Sequence, residues 1–149
     1  VTPLLVDCGE LCQKACCDPK WGQGVYLFPG EEVMFSGKSY WEPIKTISDR
    51  KIVDCDGNCK RDERPLFCRL FPLFPYISPE NELSLVFYSP MHPICPLIKL
   101  NDFKILADDY VEAVKKIGKI LLKNEDCLKF MREISREIDA CYDEPWMKL

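Results

Sequence analysis

The run CGELCQKACC places Cys8, Cys12, Cys16 and Cys17 close together, and the chain returns to cysteine at Cys55, Cys59, Cys68 and Cys95. Thiolates at short spacing, joined by further thiolates from distant segments, are what a soft or borderline cation needs to draw its ligands from parts of the chain that fold together. These eight residues are the candidate metal ligands. A disulfide scaffold is the competing use of ten cysteines. Cysteine content stays below that of short disulfide-rich chains, and 149 residues that are 47% hydrophobic can bury a core without staples. Thiols open to metal are the expectation.

Spacing limits how these thiols share an ion. On a straight helix Cys8, Cys12 and Cys16 occupy one face, yet Cys8 and Cys16 stand about 12 Å apart along the axis, whereas two thiolates on a tetrahedral zinc lie only about 3.8 Å apart. Either the segment bends, with Gly9 as its weak point, or its cysteines serve two ions or a cluster. The adjacent pair Cys16 and Cys17 favours sharing, because neighbouring side chains on a helix diverge by about 100 degrees.

In DCDGNCKRDERPLFCRLFP, Asp56, Gly57 and Asn58 supply turn chemistry between Cys55 and Cys59, so that two thiolates can converge. Pro65 opens a short helix over residues 66–71 that projects Cys68, with Arg64 and Arg69 placed to offset excess thiolate charge. MHPICPL adds Cys95 and the one histidine of the chain, His92, in a loop stiffened by prolines. Eight thiolates already fill two tetrahedral sites, so His92 is not required as a ligand.

The elements that must position these residues read as two regimes. Strands are expected over residues 25–28, ended by Pro29 and Gly30, over 51–55 leading into Cys55, and over 83–89. Pro72, Pro75 and Pro79 exclude a helix between residues 73 and 80. From Asp102 onward, Phe103, Leu106, Tyr110, Val114, Ile117 and Leu121 recur at three and four residues, predicting a helix of about five or six turns capped by Asn101 or Asp102. Beyond Asn124, Cys127, Met131, Ile134, Ile138 and Cys141 form a second stripe, and the short link predicts an antiparallel helix pair. Cys127 and Cys141 lie on this stripe about 21 Å apart along a helix, and are expected to pack rather than ligate. The expected fold is α+β: a small irregular cysteine-rich domain with short strands, packed on a C-terminal antiparallel helix pair. One domain spans 1–149, with a metal-binding part over 8–97 and a helical tail over 101–142.

A net charge of -4 argues against a nucleic-acid surface, and no apolar run is long enough to cross a membrane. The opening VTPLLVDCGE lacks the basic start and long apolar segment of a signal peptide, so a cytoplasmic location is expected. A metal ion is the expected partner, and no feature names a protein partner.

The cysteine run ending in CC, then GVYLFPGEE, then DCDGNCKRDERPLFCRLFPL and the later cysteine in CPL together resemble the YkgJ-type CxxCxxCC family of zinc- or iron-chelating proteins. The resemblance covers about residues 8 to 97. It implies metal binding with the family's cysteine set on Cys8, Cys12, Cys16, Cys17, Cys55, Cys59, Cys68 and Cys95, and with Glu31 or Glu32 at the family's acidic position. The first run departs from the usual motif, having three residues between cysteines where the motif has two. Zinc in closed thiolate sites is the first expectation, and iron or an iron-sulfur cluster serving redox chemistry is the alternative. A hydrolytic enzyme with Glu31 or Glu32 as base would need an open metal position, and no phosphate loop or HExxH pair accompanies it. No catalytic constellation is identified.

Overall fold

Ser48 and Asp49 both adopt positive φ, 49° and 65°, which is the twist a two-residue turn needs to fold one strand back on the next. The turn joins β2 (Ile44–Ile47) to β3 (Arg50–Val53), and β1 (Val25–Tyr26) pairs with the other edge of β3, giving an antiparallel sheet of order β1-β3-β2. The computed structural model describes residues 1–18, 24–37, 44–55, 57 and 59–141. The strands expected over 25–28 and 51–55 are present in shortened form. Leu27 still donates its N–H to the Lys51 carbonyl at 2.9 Å before the chain turns at Pro29 and Gly30. A small core of Leu27, Phe35 and Val53 lies beneath this sheet, and Cys55 and Cys59 pack against it.

The second sheet is a hairpin of β4 (Leu73–Ile77) and β5 (Leu83–Phe87), paired from Leu73↔Phe87 to Ile77↔Leu83. The segment in which prolines exclude a helix is thus a strand with Pro75 at its centre. Alternate residues of a strand turn their N–H groups to the same edge. On the edge away from β5, the Leu73 N–H donates to the Tyr110 hydroxyl at 3.2 Å and the Ile77 N–H to the Ser135 hydroxyl at 2.9 Å. Pro75, lacking an N–H, occupies the position between them, so the edge carries no unpaired donor.

Those two hydroxyls come from the C-terminal helices, α5 (Asp108–Leu121) and α6 (Glu125–Ala140). Asn124 caps α6 as expected, its side chain accepting the Cys127 N–H at 2.9 Å. The first helix differs from its sequence expectation. Asp102 caps only a 3-10 turn over Phe103–Ile105, the backbone is extended at Leu106 and Ala107, and the Ala107 N–H donates to the Pro3 carbonyl at 2.9 Å. A bond from the N-terminal segment takes the amide at that point, and α5 begins afterwards with about four turns. Both helices pack on the β4–β5 hairpin, so the sheet is their chief partner. Gly118 of α5 allows the closest approach, since a Cβ there would stand 3.0 Å from that of Pro75.

Tyr110 is fully buried, accepting from Leu73 while its hydroxyl donates to the Leu70 carbonyl. Tyr110→Phe leaves both backbone groups unpaired in the core and is expected to lower stability by about 1–3 kcal/mol in urea unfolding. Arg50 ties the other sheet to α6, bonding Glu133 and Glu137 while its guanidinium lies 5.3 Å from the Tyr26 ring centroid. The architecture is α+β, with short antiparallel strands and two long C-terminal helices.

Candidate metal centre

The run that carries four cysteines is not one helix. α1 (Cys8–Leu11) is a single turn capped by Asp7, whose carboxylate accepts the Gly9 N–H at 2.9 Å. Gln13 and Lys14 then enter the left-handed region at φ 53° and 56°, and a 3-10 turn follows over Ala15–Cys17. The bend therefore falls at Gln13 and Lys14 rather than at Gly9. It sends Cys8 and Cys12 one way and Cys16 and Cys17 another.

Cys16 and Cys17 reach a cavity of about 230 Å3 that is also lined by Cys55, Cys59, Cys68 and Arg64. Tyr26, Phe67, Phe71 and Tyr88 contribute aromatic surface to it. α3 (Leu66–Leu70) positions Cys68: Phe67 and Leu70 are buried, with the Phe67 ring 5.4 Å from Phe74 and 5.0 Å from Tyr88, so Cys68 on the adjoining face meets the cavity. Pro65 stands at the N-cap of this helix, one position before the expected start.

Gly57 brings the Cys55–Cys59 loop to the Cys17 loop. Its φ is +84°, and a Cβ on it would lie 2.9 Å from the Cys17 carbonyl oxygen. Asp56 and Asn58, expected beside it in the turn, fall outside the described residues.

Several donors face sulfur. The Gly57 N–H donates to Cys55 Sγ at 3.3 Å, and Arg64 lines the cavity with its charge acting on Cys59, Cys17 and Cys68. Burial pushes the Cys55 thiol up to about 11, with the Gly57 N–H opposing and the Cys59 thiol adding to the rise. Cys68 is likewise raised, by burial first and then by the thiols of Cys17, Cys55 and Cys59, with Arg64 opposing. In the Cys16–Cys17 pair, whose sulfurs are 3.9 Å apart, the bond between the two thiols lowers Cys17 and raises Cys16, and Arg64 and Lys14 reinforce the fall on Cys17.

The remaining three thiols form a second neighbourhood. Cys95 is buried at the N-cap of α4 (Pro96–Leu100), where the Leu97 and Ile98 N–H groups face its sulfur. Burial raises both Cys8 and Cys95, each also feels Cys12, and Arg61 opposes the rise at Cys8. Arg61 also lies 3.6 Å from the Asp7 carboxylate. Asp7 precedes Cys8 directly and is a helix-capping residue type, whereas Arg61 carries no sequence signal of its own, since it reaches Cys8 from a distant segment. The Nη1 of Arg61 and the Nε of Arg64 are buried with no hydrogen-bond partner among the described residues, one beside each thiol set.

Other candidates fall elsewhere. His92 follows the 3-10 turn Ser89–Met91 and is not part of the cavity wall. Cys127 is buried in the core as expected, but Cys141 is exposed at the C-cap of α6, where the helix ends and its stripe has left the core. Arg69 is exposed, and its charge acts on Glu31. Glu31 spends both carboxylate oxygens on backbone, accepting the Phe28 N–H at 2.7 Å and the Leu66 N–H at 2.8 Å. Glu32, on α2 (Glu32–Phe35), accepts the Gly30 N–H at 3.0 Å. Burial holds Glu31 above the ordinary carboxylate range despite its two donors.

Among the described residues, no three His, Cys, Asp or Glu side chains stand close enough together to hold a metal ion as placed. Among the described residues, no helix is long and apolar enough to cross a membrane. No protein family, curated protein or solved structure was found to match the chain.

Proposed function

We propose that this protein binds metal through its clustered cysteines, with Cys17, Cys55, Cys59 and Cys68 as one ligand set at the cavity and Cys8, Cys12 and Cys95 as a second. The observation that carries this reading is the meeting of thiols from three separate chain segments at one cavity beside Arg64. N–H groups and guanidinium charge directed at sulfur fit thiolates better than thiols, because they stabilise the negative form that ligates. Gly57 acts in this way on Cys55, Arg64 on Cys17 and Cys68, and Leu97 with Ile98 on Cys95. Binding requires the sulfurs to turn inward by side-chain rotation. A bound ion would cross-link the three segments, and its binding energy would add to that of folding. The YkgJ-type family resemblance is part of this proposal, and so are zinc as the first cation and a cytoplasmic setting with no nucleic-acid or membrane partner.

A second reading has its own support. A closed tetrahedral thiolate site leaves little free space, whereas the cavity of about 230 Å3 leaves room for a polynuclear iron-sulfur centre. Element analysis and a visible spectrum of protein purified without oxygen separate the two. Zinc without visible absorption supports the first, iron with sulfide and a brown colour supports the second, and protein that neither retains nor takes up metal overturns both. Cys127→Ser and Cys141→Ser are expected to leave metal content unchanged, whereas Cys55→Ser or Cys59→Ser should lower it.

A further inference from the structure

Five thiols line the cavity, one more than a tetrahedral ion takes. Cys16 differs from the other four. It is exposed, while Cys17, Cys55, Cys59 and Cys68 are half-buried. Cys55 accepts the Gly57 N–H, and Arg64 lines the same wall as Cys17, Cys59 and Cys68 with its charge acting on all three, whereas the contact of Cys16 is with the Cys17 sulfur. Cys16 is therefore the least supported ligand and the one nearest solvent.

The Cys16 and Cys17 sulfurs are 3.9 Å apart. Two thiolates bound to one tetrahedral ion at about 2.3 Å lie about 3.8 Å apart, so this pair is spaced to grip a cation without further opening. Resting on the metal-binding reading above, we infer that Cys16 is an exchange thiol: it receives an incoming soft cation at the exposed rim together with Cys17, then yields it to Cys55, Cys59 and Cys68. On entry Cys16 and Cys17 displace two water ligands of the cation and release their protons to solvent. Transfer breaks the metal–Cys16 bond and displaces the two remaining waters as bonds form to Cys55, Cys59 and Cys68; one of the three protons lost by these thiols passes to the departing Cys16 thiolate and two pass to solvent. No electron is transferred, and no oxidant is needed.

The test uses the full chain, zinc as the probe, and Cys16→Ser, a near-isosteric change at an exposed position. The variant should hold as many zinc equivalents as the parent, while uptake from a weak zinc chelate and loss to a strong chelator slow by about tenfold or more, because a pre-positioned ligand is gone. In zinc-loaded parent protein, iodoacetamide should modify Cys16 as readily as exposed Cys141 while Cys17, Cys55, Cys59 and Cys68 are protected. Unchanged exchange rates at full zinc content would overturn the role of Cys16 alone, as would its protection from iodoacetamide or a lost zinc equivalent in the variant. A parent chain that takes up no zinc would overturn the metal-binding reading and the role of Cys16 with it.

Discussion

Gly57→Val is expected to be the most damaging single substitution at the thiol cavity, lowering stability by about 3–5 kcal/mol and abolishing metal retention. Two separate effects add. The backbone at Gly57 is left-handed, with φ +84°, and a β-branched residue there is strained by about 1–2 kcal/mol or more. The new Cβ would also stand 2.9 Å from the Cys17 carbonyl oxygen, a backbone atom that can retreat only by moving the Cys17 loop. That retreat separates Cys17 from Cys55, two thiols that must converge on one ion.

The two effects can be divided experimentally. Gly30 has φ +92° but nothing within 4 Å of its Cβ position, so Gly30→Ala carries strain without collision. Urea unfolding and zinc content measured together should show Gly30→Ala losing about 1 kcal/mol with metal intact, and Gly57→Ala losing more stability together with metal. If Gly57→Ala behaves like Gly30→Ala, the two cysteine loops do not depend on close contact at this point.

Where local chemistry alone decides an element, the sequence is readable. Asn124 followed by a stripe at steps of four and three is enough to place α6, because the cap and the apolar face are both local. The same holds for the Pro29–Gly30 turn and for β5. Other boundaries depend on partners far along the chain. The break before α5 is set by the Ala107 N–H meeting Pro3, and β4 tolerates Pro75 because that position faces the edge away from β5, an edge whose neighbouring donors at Leu73 and Ile77 are met by Tyr110 and Ser135 from two different helices.

The candidate site divides along the same line. The eight cysteines are visible as a set, but their separation into a cavity group and the Cys8, Cys12 and Cys95 group follows from left-handed Gln13 and Lys14. Neither residue type announces that conformation as glycine would. Glu31 shows the same limit from the other side. An acid beside a metal motif invites a catalytic reading, yet which atoms it faces is decided by α3, 35 positions away at Leu66.

Glu31→Ala is accordingly expected to act as a folding and positioning mutation. One carboxylate joins the turn after β1, through the Phe28 N–H, to the first amide of α3, through the Leu66 N–H. Removing it leaves two donors without an acceptor at the base of the helix that carries Cys68. Both bonds are part-buried, so at the lower end of about 1–3 kcal/mol for each unpaired group the loss should reach about 2 kcal/mol or more. Glu31→Gln keeps one acceptor oxygen but turns an amide NH2 toward the second N–H, so an intermediate loss is expected. Glu32→Gln should be close to neutral, because the hydrogen bond that side chain makes among the described residues is to the exposed Gly30 amide.

The consequence for the thiols is separable from stability. With α3 loosened at its first turn, Cys68 should react faster with iodoacetamide in Glu31→Ala than in the parent under conditions where both are folded by circular dichroism, and zinc retention should fall. Ser135→Ala provides the control, since its hydroxyl accepts the Ile77 N–H at the far end of β4 and donates to the Met131 carbonyl within α6, so its loss should leave Cys68 reactivity unchanged at matched stability. If the two variants expose Cys68 equally, Glu31 contributes only to general stability. If Glu31→Ala alone exposes it, the carboxylate holds the ligand-bearing helix in place, which a catalytic base with free oxygens could not do.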